Sequence, residues 1–342
     1  MANRRYFLKT GAIAATGMAL VPNALQASPD DALLGHGSHR YRLDANWGKL
    51  QRNKYPVRDC HEMVIDKKGR LFMLTNDTHN NILIYDRNGR LLGSWGTQFP
   101  GAHGLTLSNE GGTEYLWIAD NDLHKVFKTT LDGRVVLTVS YPAEAGLYAA
   151  EKEFVPTETT IAPNGDIYIA DGYGKDFVLV YDATGKFKFS FGGRGAGDAF
   201  LKNAHGITID QRIAGQTTLL VTSREQHCFK RYTLDGKYLT TIPVPGAWVC
   251  RPVIKGNYLY AAVLQSERAL WKRSGFITII DAQDKVVSNP GGNAPGGSAA
   301  EYYQTFAGFA YPHDVCVDDE GSIFLAQWNS DQVYPYKLQL MA

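Results

Sequence analysis

The chain has 342 residues, 44% hydrophobic and 20% charged, with a net charge of +1. That composition is globular, and the near-neutral balance removes the electrostatic case for nucleic acid or an acidic membrane surface. Thirty-five glycines and an aromatic content of 12% favour short strands and tight turns over helices.

The N-terminus reads as an export segment. Arg4-Arg5-Tyr6-Phe7-Leu8-Lys9 precedes an apolar run from Gly11 to Val21 and a small-residue exit at Ala24-Leu25-Gln26-Ala27. The run is too short to span a bilayer, and the paired arginines resemble a twin-arginine signal, with cleavage expected after Ala27. That route carries folded proteins, so a metal could be loaded before export. The mature protein is therefore expected to be periplasmic or secreted. Residues 28–39 read as a linker. Cys60, Cys228, Cys250 and Cys316 include no C-x-x-C pair, so a thiolate zinc site is not expected. Export leaves disulfides possible, and Cys316 reads as core.

From about residue 40 a four-strand unit repeats. The first runs 61–66, 70–75, 81–86 and 91–96, and the second 103–107, 115–120, 125–130 and 135–140. The third runs 157–161, 166–171, 177–182 and 187–192, and the fourth 205–210, 218–222, 228–233 and 238–243. The fifth runs 251–254, 258–263, 276–281 and 285–288. The sixth has 313–318, 322–327 and 332–337, then stops. Turns such as Arg87-Asn88-Gly89 and Leu234-Asp235-Gly236 join successive strands as hairpins. Short alternating strands without helical periodicity indicate an all-β fold, and six units indicate a six-bladed β-propeller over 40–342. Two stacked sandwich domains would not explain six units in one phase. The missing outer strand of blade six is supplied by Tyr41–Gly48, whose Asn46-Trp47-Gly48 copies Ser94-Trp95-Gly96. Stretches 264–275 and 289–303 read as insertions around blade five.

The first strand of each blade should line the channel. Alignment puts His61, His103, Thr157, His205, Arg251 and His313 at one level, and Glu62, Gly104, Glu158, Gly206, Pro252 and Asp314 at the next. His103, His205 and His313 come from alternate blades and should converge with rough three-fold symmetry. Three imidazoles with an open fourth position form the pattern of a catalytic Zn²⁺ site, and other divalent transition metals also suit imidazole. His61, Glu62, Thr157 and Glu158 are expected to line the channel. The carboxylate of Asp314 suits a hard cation such as Ca²⁺, shared with backbone oxygens near Met63 and Leu105, or else a plain solvated position.

Several segments resemble the peptidyl-α-hydroxyglycine α-amidating lyases, within the wider group of NHL-repeat propellers. They are Ala102-His103-Gly104-Leu105 with Leu123-His124-Lys125-Val126-Phe127-Lys128, Pro156-Thr157-Glu158 with Ala170-Asp171-Gly172-Tyr173, and Pro312-His313-Asp314. The resemblance covers about residues 55–340. It implies a channel zinc on His103, His205 and His313, and a structural calcium on Asp314 and the main-chain oxygens of Met63 and Leu105. It also implies a catalytic Tyr173 and an active-site Arg224. A second arginine of the family is replaced by Asn76, for which Arg251 or Arg58 would have to compensate, and the family's paired cysteines are not matched.

These residues suggest a metal-dependent enzyme cleaving a small hydroxylated, carbinolamide-type substrate. Tyr173, its pKa lowered beside a metal and Arg224, would exchange a proton, and Arg224 would hold a carboxylate. The alternative is a non-catalytic NHL propeller that binds a protein or glycan and keeps its channel metal for structure. A lactonase-like hydrolase fits less well, since such enzymes tend to use carboxylate and amide ligands. The expected partner is a small-molecule or peptide substrate, with no nucleic acid and no membrane span, and the chain is expected to be a monomer.

Overall fold

The computed structural model describes residues 33–296 and 300–341. Six antiparallel sheets, most of four strands, follow one another around a ring. Blade one is built from Cys60–Ile65, Leu71–Thr75, Ile82–Tyr85 and Leu91–Trp95. The other innermost strands are Ala102–Glu110, Glu158–Ile161, Ala204–Asp210 and Pro312–Val317, with a divided strand in blade five. No helix among the described residues is long and apolar enough to cross a membrane.

The alternation of side chains explains the ring. In blade one Met63, Leu71 and Met73 face blade six, where they pack with Cys316, Phe324 and Ala326. Their neighbours Val64, Phe72 and Leu74 face the other way, onto Leu105, Leu116 and Ile118 of blade two. A strand with both sides apolar must be covered on both faces. Each blade solves this with the next, which gives one core per blade–blade junction. Burying each such side chain contributes roughly 1.5–3 kcal/mol.

An N-terminal strand closes the ring. His39–Asp44 pairs with Tyr336–Leu340, with Tyr41 opposite Leu340 and Leu43 opposite Leu338. The copied tryptophans do equivalent work: Trp47 donates from Nε1 to the Arg87 carbonyl, and Trp95 to that of Leu131, each in a turn of the following blade.

Three expectations need correction. Part of the expected linker is ordered sheet, since Leu33–His36 adds a fifth strand to blade six and buries Leu34 against the blade five–six core. The third strand of blade six is Tyr336–Leu340 instead of 332–337, because Asp331 and Gln332 take left-handed backbone and Pro335 has no N–H to donate. The inner strand of blade five is split into Ala247–Val249 and Val253–Lys255, interrupted at Cys250-Arg251-Pro252. The expected export segment, 1–27, lies outside the described residues. All four cysteines are buried and free.

Candidate metal centre

Consecutive residues of a regular strand point to opposite sides. At the channel this rule is broken on purpose. The register between the first and second strands shifts between Cys60 and Glu62, Ala102 and Gly104, Ala204 and Ile207, and Pro312 and Asp314. Each irregularity brackets one channel histidine. An extra residue in one strand re-aims its side chain, so His61 and Glu62, and likewise His313 and Asp314, are buried as adjacent pairs. The result is two tiers on one axis.

The upper tier holds four imidazoles. The ring centroids of His103, His205 and His313 lie 4.8–4.9 Å apart in every pairing. His61 joins them at 5.0 Å from His103 and 4.9 Å from His313. Among the described residues, His61, His103 and His313 form the group whose ligand atoms all lie within 4.8 Å of one another. His61, expected only to line the channel, thus enters the candidate ligand set. His205 turns its Nε2 to the Tyr173 hydroxyl, 3.1 Å away.

Backbone carbonyls set two tautomers. His103 donates from Nδ1 to the Thr157 carbonyl at 2.8 Å, and His313 from Nδ1 to the His61 carbonyl at 3.0 Å. Both leave Nε2 with a lone pair, as metal ligation requires. Nδ1 of His61 and of His205 is buried with no protein partner. Burial, reinforced by the other rings and Arg224, holds His103, His205 and His313 well below the usual histidine pKa; burial and Arg58 bring His61 to about 3. Neutral imidazoles with inward lone pairs fit a divalent transition metal.

Tyr173 caps this tier. Its hydroxyl lies 3.0 Å from Nε2 of His103, to which it donates, while about 40% of the residue is exposed at the channel mouth. The Asp171-Gly172 turn explains its place. Asp171 accepts hydrogen bonds from Val155 N, Lys175 N and the Tyr148 hydroxyl, and a Cβ on Gly172 would lie 2.2 Å from the Ala204 carbonyl oxygen. Burial raises the Tyr173 pKa although Arg224 opposes the shift. With no metal beside it, loss of hydration at the hydroxyl, which sits against the His103 and His205 rings, outweighs the Arg224 charge; the expected lowering is that of a tyrosine next to a bound metal.

Two cavities meet at Tyr173 and Trp328. One of about 310 Å³ is walled by Trp248, Trp271, Trp328, Leu264 and Arg224, and the buried His313 lines its floor. The other, about 480 Å³, is polar and is lined by Arg58, Asp59, Asn76, Asp122 and the rings of His61 and His103. Arg224 is buried, with Nε 3.3 Å from the Val249 carbonyl and Nη2 3.1 Å from the Cys250 sulfur. Asn76 is tied to Asp59 by two hydrogen bonds. Of the two arginines considered for its missing charge, Arg58 lines this mouth. Trp248 and Trp271 come from blade five and Trp328 from blade six, and the junction of the two blades assembles them.

The lower tier is ionic. Arg251 donates from Nε and Nη2 to Asp314 at 3.0 and 2.7 Å, from Nη1 to the Leu105 carbonyl at 2.9 Å, and from Nη2 to the Met63 carbonyl at 3.1 Å. Glu62 and Glu158 each lie 3.6 Å from Nε. The Asp314, Met63 and Leu105 oxygens expected to hold Ca²⁺ are thus all engaged by a guanidinium, and they do not fit that ion. Nor does Arg251 sit among the lining residues of either upper cavity, so its expected catalytic place is corrected as well. The break at Pro252 re-aims it down the axis. Thr157, the remaining channel residue, donates its hydroxyl to the Ala170 and Ala204 carbonyls. Burial raises the Glu62 pKa well above the carboxylate range; Arg251 opposes, and Glu158 and Asp314 add to the rise.

Comparison with known proteins agrees with this architecture. The family DUF5128, described as a 6-bladed beta-propeller, matches residues 158–288. The human NHL repeat-containing protein 3 is 25% identical over 237 residues, 58% of this chain and 65% of that protein. Peptidyl-alpha-hydroxyglycine alpha-amidating lyase 1 of Drosophila melanogaster is 32% identical over 110 residues, 30% of this chain and 19% of that protein. Peptidyl-glycine alpha-amidating monooxygenase B of Xenopus laevis is 25% identical over 269 residues, 75% of this chain and 29% of that protein. The chain is a six-bladed β-propeller, similar in sequence to NHL repeat-containing protein 3 and to the amidating enzymes. It spans 65% of the length of the human relative and less than a third of either amidating enzyme. Among solved structures, a streptogramin B lyase superposes with a TM-score of 0.58 at 16% identity, covering 88% of this chain and 98% of that one. A gluconolactonase from Xanthomonas campestris does so with a TM-score of 0.62 at 12% identity, covering 92% and 97%. At these identities the likeness speaks for the fold.

Proposed function

We propose that this NHL-type propeller is an exported metal-dependent lyase acting on a small carbinolamide-type substrate at the upper tier of its channel. The observation that carries the reading is the place of the Tyr173 hydroxyl: it lies 3.0 and 3.1 Å from His103 and His205 Nε2, atoms that would turn to a bound metal, and so stands beside the ion's place at the base of an open cavity. His61, His103 and His313, with His205 beside them, would hold a divalent transition metal such as Zn²⁺. When bound, that ion supplies Lewis acidity toward a substrate oxygen.

The chain's own residues account for the rest. Cleavage of a carbinolamide removes the hydroxyl proton, turns the C–O pair into a carbonyl, breaks the C–N bond and returns a proton to the amide nitrogen. Tyr173 is the group placed to move that proton, since its hydroxyl is both donor and acceptor and stands beside the histidine cluster. Arg224 stands at the cavity wall to pair with a substrate carboxylate. The tryptophan-walled cavity suits an apolar group next to the reacting carbon, and the polar cavity with Arg58 suits the remainder of a peptide.

Purified protein loaded with zinc should release amide and glyoxylate from an α-hydroxyglycine peptide, and Tyr173→Phe should lose that activity. A metal-loaded protein inert toward such peptides sinks the lyase reading. The engagement of Asn76 with Asp59, in place of an arginine, favours the second reading: a binding propeller for a protein or glycan with a structural metal. Export belongs to the same proposal; changing Arg4 and Arg5 to Lys should keep the protein in the cytoplasm.

A further inference from the structure

The lower tier does something that neither the lyase reading nor the histidine cluster requires. A single side chain, from blade five, reaches four of the other blades, and its backbone lies against the remaining one. Its guanidinium reaches Asp314 of blade six, the Met63 carbonyl and Glu62 of blade one, the Leu105 carbonyl of blade two and Glu158 of blade three. Blade four meets its backbone: a Cβ on Gly206 would fall 2.5 Å from Arg251 Cα. Gly104 leaves similar room for Glu158, whose Oε1 would lie 3.1 Å from an added Cβ.

We propose that Arg251 is the resident structural cation of this propeller, standing where a divalent ion would otherwise join blades six, one and two, so that the ring needs no calcium. The donor geometry supports this. Calcium takes six to eight oxygens at about 2.3–2.6 Å around one point. Here a planar fork distributes its N–H groups over four oxygen acceptors belonging to three blades, at 2.7–3.1 Å. Asp314 receives the fork in a bidentate way and also accepts from Met63 N at 2.9 Å, so its carboxylate is oriented with no ion. The positive charge sits among three buried acidic side chains, and four hydrogen bonds tie the guanidinium to protein oxygens. Truncating the arginine would leave those carboxylates and two carbonyls facing a vacated space, which is the donor set of a calcium site.

Calorimetry on the metal-stripped protein tests this apart from any catalytic role, because calcium is a poor partner for imidazole. Wild type should take up no calcium in a titration, and its Tm should be the same with and without millimolar CaCl₂. Arg251→Ala should lose about 10 °C in Tm, by breaking a buried ion pair, and should regain part of it with CaCl₂ in a saturable way. Arg251→Lys keeps the charge without the fork and should fall between the two. Stoichiometric calcium binding by wild type, an Arg251→Ala Tm equal to wild type, or an Arg251→Ala protein indifferent to calcium would each overturn the proposal. If Arg251→Ala yields no folded protein, the wild-type titration and Arg251→Lys decide: uptake of calcium by the first, or full stability of the second, defeats it. Loss of lyase activity has no bearing on these readouts.

Discussion

The two tiers of the channel are built from the same six inner strands and, in blades one and six, from adjacent residues. They could hardly differ more in chemistry. The upper tier is neutral: four imidazoles kept uncharged by burial, a protonated tyrosine and tryptophan walls, open to solvent at Tyr173. The lower tier is charged, with one arginine among three acidic side chains and two carbonyls, and Arg251 also lines a separate cavity of about 590 Å³. The difference teaches where stability and reactivity are lodged. Above, the unmet groups are imidazole nitrogens beside an open cavity; below, Arg251 and Asp314 answer each other in a bidentate pair, while Glu62 Oε1 and Glu158 Oε2 stay buried without a partner.

That division makes the two tiers respond differently to substitution. The largest effect on folding is expected from Asp314→Ala, which strands Arg251 in the interior. Urea unfolding should show a loss of about 3–5 kcal/mol. A loss under 1 kcal/mol would mean that the ionic tier does not hold the ring. Tyr173→Phe should do the opposite, lowering turnover by roughly 10²–10⁴-fold while leaving the urea midpoint near wild type. Equal loss of stability in that variant would erase the distinction between the tiers.

Acid should separate them by sign. His61 has a folded pKa of about 3, below its unfolded value of 6.5, so the unfolded chain binds the proton more readily. Its contribution to stability is complete above pH 6.5 and is lost as pH falls toward 3. Burial, opposed by Arg251, raises Asp314 from 3.8 to about 6, so its contribution runs the other way: present below about 4 and lost as pH rises through 6. In metal-free protein, His61→Gln should therefore flatten the acid side of the stability curve by up to about 1.4 kcal/mol per pH unit. An unchanged slope in that variant would remove His61 from the neutral tier. The smallest effect is expected at the rim. Trp328→Ala should raise KM by about tenfold or less with kcat nearly unchanged, since it removes an aromatic wall and no reacting group. A matching fall in kcat would place Trp328 nearer the chemistry.

Much of this was legible in the residues. The repeated turns and period-two strands give six blades, and the echo of Ser94-Trp95-Gly96 in Asn46-Trp47-Gly48 points to the closing strand. The level shared by His103, His205 and His313 also follows from alignment of the repeats. Tyr173 and Arg224 were visible through the resemblance, and both border the same cavity. The miss at 332–337 came from treating a polar-apolar alternation as strand where left-handed residues and Pro335 forbid it. The signal for Leu33–His36 was only a pair of leucines, whose burial depends on blades five and six being in place.

By itself, then, the amino-acid order determined the architecture, because period and turn chemistry are local properties of the chain. It also determined which strand positions could carry ligands. Only the tertiary structure decided what those positions became. Strand irregularities of a single residue placed His61 in the cluster and put Glu62 and Asp314 on the axis beneath it. A break at Pro252 turned Arg251 downward, so that the oxygens suited to calcium hold a guanidinium. The aim of a side chain at the centre of a ring depends on six backbones at once, and no stretch of sequence contains that sum.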